Sequence, residues 1–130
     1  MALTTYLEKA VLDWIGGAAT PTRPAGIWLG MATGTPNANG ASELATNTMS
    51  RVTCTFAAAN SPQGSMTNLN AMTLMANSSA ATVFGFNIWD AATVGANRLA
   101  YGTLTATVSF RAGSGDQIAF AVGTLKVTLT

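Results

Sequence analysis

Helical periodicity is confined to one end of this 130-residue chain. Leu3, Tyr6, Leu7, Ala10, Val11, Trp14 and Ile15 recur at three- and four-residue spacing and so form one apolar stripe. The spacing predicts a helix over residues 5–15, with Thr5 capping the first turn, Glu8 reaching back to the Thr5 amide, and Gly16-Gly17 providing the left-handed exit. A helix this short is marginal alone in water, so its stripe must dock on its own domain or on a neighbouring subunit. Beyond it, Pro21-Thr22-Arg23-Pro24 pushes the backbone towards extended geometry, and the helical period does not return.

The remainder alternates. Ile27, Leu29 and Met31 oppose Trp28 and Gly30 in a strand over 26–32, and Val52, Cys54 and Phe56 oppose Thr53 and Thr55 over 51–57. Further strands are expected at 71–76, 82–89, 98–104, 117–122 and 124–129, with 105–110 continuing the strand 98–104 or re-pairing. Between them lie a long loop over 34–42, turns at 60–64 and 77–79, a hairpin-type loop over 90–97 and the compact turn 113–116. Seven or eight short strands separated by regular turns imply an all-β fold: a jelly-roll-like antiparallel β-sandwich with one short N-terminal α-helix. Residues 1–17 form the helix or arm and 18–130 the sandwich domain.

Such a sandwich needs a solvated surface, and few charges are available for it. Charged residues make up 8% of the chain against roughly 25% in an ordinary soluble domain, and the net charge is +1. Thr and Ala fill roughly a third of the sequence instead. A weakly charged, near-neutral surface favours association, so much of it is expected to be buried between subunits of a homo-oligomer. The same balance provides no basic field for nucleic acid or anionic lipid, and no run of about 18 apolar residues offers a membrane span. The opening residues lack the pattern of a secretory signal, and one cysteine forms no internal disulfide, which fits a chain made in a reducing cytoplasm.

Catalysis has little to work with. There is no histidine, so the usual general base, metal ligand and pH switch are absent. Glu8, Asp13, Glu43, Asp90 and Asp116 are scattered over a helix and loops, and Lys9 and Lys126 lie at opposite ends. Cys54, between Val52 and Phe56 on an apolar strand face, reads as a small buried hydrophobe. Gly113-Ser114-Gly115-Asp116 lacks the Lys-Ser/Thr of a P-loop and the ligand series of a calcium loop. Trp28, Trp89, Tyr101 and Phe110 suit either a sugar-binding platform or the core, and strand positions beside small residues favour the core. The expectation is no enzyme, no cofactor and no metal.

Several stretches carry a family resemblance. The opening Met1-Ala2-Leu3-Thr4-Thr5-Tyr6-Leu7-Glu8-Lys9-Ala10-Val11-Leu12-Asp13, the strand Met49-Ser50-Arg51-Val52-Thr53-Cys54-Thr55-Phe56, and the runs Phe86-Asn87-Ile88-Trp89-Asp90-Ala91 and Gly95-Ala96-Asn97-Arg98-Leu99-Ala100-Tyr101-Gly102-Thr103-Leu104 resemble small tailed-bacteriophage virion proteins. So does the close, Ser114-Gly115-Asp116 with Phe120-Ala121-Val122-Gly123-Thr124-Leu125-Lys126-Val127-Thr128-Leu129. Members are labelled tail fibre proteins, while other phage sandwiches of this size are capsid decoration, or cement, proteins. The resemblance implies a structural virion role without catalytic residues, and the absence of a fibre-like repeat or coiled coil suits a compact plug-on module.

The reading favoured by these features is a decoration protein on the phage head, binding the major capsid protein and copies of itself and stabilising the lattice by mass action. Tyr6, Leu7 and Trp14 on the helix, and Asn37 and Asn39 in a flexible loop over 34–42, are the expected contacts. The alternative is a tail, baseplate or tail-fibre component that binds a host glycan through Trp89 and the loop 90–97.

Overall fold

The computed structural model describes residues 2–44, 49–60, 64–75, 79–93, 95–113 and 115–128. Its helix, α1, spans Thr5–Ile15, as the apolar period predicts. The cap differs from expectation. Thr4, in extended geometry, is the N-cap, and its hydroxyl oxygen accepts from the Leu7 amide at 3.4 Å. Thr5 instead donates its hydroxyl to Asn39 Oδ1 at 2.9 Å, so no capping box forms. Gly17 takes the left-handed conformation, φ 72°, that closes the helix.

The described residues form nine strands: β1 (Ala2–Leu3), β2 (Trp28–Ala32), β3 (Val52–Thr53), β4 (Ser65–Thr67), β5 (Met72–Met75), β6 (Ala81–Trp89), β7 (Arg98–Phe110), β8 (Gln117–Phe120) and β9 (Lys126–Thr128). All described pairings are antiparallel. A five-stranded sheet runs β1-β7-β6-β2-β3, and two ribbons pair β4 with β9 and β5 with β8. The expectation of an all-β antiparallel sandwich with one short helix holds, the described ladders dividing into five, two and two strands. The stretch 105–110 continues the strand begun at 98, one of the two outcomes expected for it, because no turn residue separates Leu104 from Thr105. The turn at 60–64, the turn at 77–79 and the turn 113–116 lie partly outside the described residues.

One apolar core joins the three sheets. Leu29, Met31, Val83, Ile88 and Phe110 from the large sheet meet Met72 and Leu74 of β5, Val127 of β9, and Cys54 and Leu125. Phe86 and Phe120 meet edge-on, centroids 6.4 Å apart, and tie the large sheet to the β5–β8 ribbon. Gly102 is needed beneath Phe86, since a Cβ there would lie 2.5 Å from the ring.

The ribbons are also held by polar groups. Asn68, 1% exposed, donates to the carbonyls of Asn70 and Ala121 and accepts from the Leu125 amide, so both ends of its buried amide are satisfied. Asn70 continues the link by accepting from Thr55 and donating to the Thr53 carbonyl.

Candidate functional site

The sheet positions two contrasting surfaces. The first begins with the N-terminal arm, where β1 pairs with β7 at Ala2↔Tyr101 and Leu3↔Ala100. Thr4 is buried, and its hydroxyl donates to the Arg98 carbonyl, which fixes where α1 starts. From there Leu7 and Val11 face an apolar hollow of about 190 Å³, closed on its far side by Phe56, Met66, Ile88 and Val127. The seat is loose: no residue of α1 is fully buried.

The helix stripe therefore has two fates. Leu7 and Val11 are partly covered, whereas Trp14 and Ile15, on the same stripe one turn later, are 59% and 71% exposed. Leu12 and Tyr6 are exposed as well. Tyr6 and Ala10 line a shallower groove with Pro21, Pro24 and Leu99. Of the expected contact residues, Tyr6 and Trp14 thus stand open to a neighbour, while Leu7 belongs mainly to the arm's own seat.

The second surface is built around two arginines. Arg98, 8% exposed, donates to the Gly40 carbonyl at 2.8 Å, to Asn87 Oδ1 at 3.0 Å and to the Asn37 carbonyl. Burial lowers its pKa from the ordinary value, with Tyr101 and Glu43 pulling the other way. Asn37 folds the same loop on itself, its Oδ1 accepting from the amides of Asn39 and Gly40. The loop 34–42, expected to be flexible, is instead held by a buried guanidinium at its tip and by Thr5 through Asn39. Asn37 and Asn39 stay exposed beside α1.

Arg51 makes the second anchor. Its Nε and Nη2 form a two-pronged pair with Glu43 at 2.6 and 2.7 Å, and Nη1 donates to the carbonyls of Ala91 and Thr93. The guanidinium lies 3.8 Å above the Trp89 ring centroid. This corrects the expectation for Trp89: it is buried under Arg51, not displayed at the tip of the loop 90–97, and offers no open face to a sugar. That loop is closed by Asp90, whose carboxylate accepts from the Asn97 amide and side chain.

Among the described residues, no three His, Cys, Asp or Glu side chains converge to hold a metal. No helix among the described residues is long and apolar enough to cross a membrane. Cys54 is buried, and burial pushes its thiol up to about 11, so it is a poor nucleophile. Sequence reasoning missed both arginine anchors. Their signal was available: in a chain with six cationic residues, Arg51 and Arg98 each open an apolar strand segment.

The family described as Podophage GP4 fiber I protein gp80 matches the chain over residues 2–128. No curated protein matches it.

Proposed function

Because this chain belongs to the podophage GP4 fibre I protein family, we propose that it is a structural subunit of a fibre on the tail of a podophage, acting by contact and not by catalysis. Membership places it among structural proteins of tailed phages; attachment to the tail is the finer part of the proposal. The observation that carries it is the exposure of large apolar side chains along α1, most of them in its last turn. Tyr6, Leu12, Trp14 and Ile15 are each at least half exposed on one short helix. Large apolar side chains left in water on a chain this poor in charge support an interface with other virion proteins.

The partners under this reading are copies of the chain and an adjoining virion protein. The family description supports the fibre alternative over the head-surface decoration reading, and the buried Trp89 removes the aromatic on which glycan binding rested. Complementation tests the contact. In phage lacking the gene, the wild-type chain restores incorporation into particles, whereas the triple variant Leu12→Glu, Trp14→Glu, Ile15→Glu folds normally by circular dichroism yet is lost from purified particles. Full incorporation of the triple variant would overturn the role given to the helix.

A further inference from the structure

The longest described strand, β7, has one long stretch of edge that no described strand pairs with. Along the side of β7 away from β6, β1 covers Ala100 and Tyr101 and then stops. Among the described residues no strand pairs with that side of β7 from Gly102 to Phe110. Unpaired backbone amides and carbonyls in a row are a template for another strand, and proteins usually blunt such edges with charges or proline. Between Arg98 and Arg111 this strand has neither.

The edge is also nearly its own complement. Reading outwards from Ala106, Thr105 mirrors Thr107, Leu104 mirrors Val108, and Thr103 mirrors Ser109. An antiparallel partner related by a two-fold axis at Ala106 would set hydroxyl against hydroxyl and aliphatic against aliphatic, in the reciprocal manner of an isologous interface. The fold places its boundaries to match. The uncovered stretch runs from Gly102, next to the last residue covered by β1, to the end of β7 at Phe110, and Ala106 is its midpoint. Thr103, Thr105, Ala106, Thr107 and Ser109 are exposed, while Leu104 and Val108 are half-buried on the core side.

Register adds a third observation. Val83 pairs with Val108 and Gly85 with Thr103, so Phe84 alone faces Leu104–Thr107 and β7 bows in its middle. No described pairing joins Leu104–Thr107 to β6, so the stretch around Ala106 is held by β6 only at its two ends.

We infer that residues 103–109 of β7 pair antiparallel with the same residues of a second copy about a two-fold axis at Ala106, joining the two large sheets into one. This deepens the self-association in the proposed function by naming its surface, and it rests on that part of the reading alone.

The test uses the purified full-length chain. Sedimentation should give twice the mass of one chain, and Ala106→Lys, which opposes two ammonium groups across the axis, should give the single-chain mass with unchanged circular dichroism. Ala106→Cys should form a disulfide-linked dimer under mild oxidation, since directly paired residues lie about 4.5–5.5 Å apart between Cα atoms. Thr103→Cys should not, because its partner is Ser109, and Thr103→Cys with Ser109→Cys in one chain should restore the cross-link. A bow can also blunt an edge. In that case the wild type sediments as a monomer, or as an oligomer that Ala106→Lys leaves intact, and the two single-cysteine variants cross-link equally; any of these overturns the inference. Virion position does not enter the measurement, so a monomer leaves the tail placement standing, and a chain found on the head leaves the dimer standing.

Discussion

The two sides of the five-stranded sheet use their polar groups in opposite ways. On the β2–β6 side, Arg51, Glu43 and Trp89 form a buried stack, and nearby Arg98 gathers the loop 34–42 onto Asn87. On the arm side, the salt bridge Lys9–Asp13 lies on the surface and the apolar stripe of α1 runs past its seat into solvent. With 11 charged residues in all, each guanidinium drawn inward leaves less charge for the outside. The comparison teaches that the low charge content has two consequences in one molecule: an interior pinned by a few well-satisfied cations, and an exterior with helix and strand surfaces suited to neighbours.

The sharpest way to break this comparison is to cut the pinned side. Arg51→Ala removes a buried, two-pronged ion pair, the cover of Trp89 and two loop carbonyl contacts together. It should cost about 3–5 kcal/mol, measured by urea unfolding, because Glu43 is left without its partner. Arg98→Ala should fall in the same range, since Asn87 Oδ1 and the carbonyls of Asn37 and Gly40 lose their donor. Costs below about 1 kcal/mol for both would show that the arginines do not anchor this side.

A smaller effect comes from Cys54. Its thiol is raised to about 11 in the folded chain from an ordinary value of 9.0, so the folded state holds its proton more tightly than the unfolded state does. Stability is therefore unaffected by this group below pH 9 and falls as pH rises from 9 towards 11, by at most about 1.4 kcal/mol per pH unit. Comparing wild type with Cys54→Val across that range isolates the contribution. Parallel curves for the two proteins would contradict the burial argument.

The smallest expected effect is the most telling about the open side. Trp14→Ala should change the stability of the isolated subunit by no more than about 0.5 kcal/mol, because most of the ring is already in water. A loss of several kcal/mol would mean that Trp14 packs inside the subunit after all.

Much of this is legible in the sequence. Helix bounds followed from the seven apolar positions and the glycine pair, and β2, β5, β6 and β8 fall where alternation and turns put them. β1 and β4, two and three residues long, are too short to establish a period and were invisible. The cap moved from Thr5 to Thr4 because the Arg98 carbonyl, 94 positions away, claims the Thr4 hydroxyl, a contact no local pattern encodes. Trp89 illustrates the same limit. An aromatic at the mouth of a hairpin loop looks exposed until Arg51, distant in sequence, closes over it. The open residues were partly foreseen: Tyr6 and Trp14 emerged from the stripe, whereas Leu12 lies off it and became visible only once the seat of the helix was known.

Imaging of labelled podophage particles tests most directly the proposed place of the chain as a contact-making fibre subunit on the tail. The account predicts a small, symmetric set of copies confined to the tail, reduced by the triple substitution at Leu12, Trp14 and Ile15. Hundreds of copies spread over the head in register with the major capsid protein would contradict it and establish a decoration protein in its place.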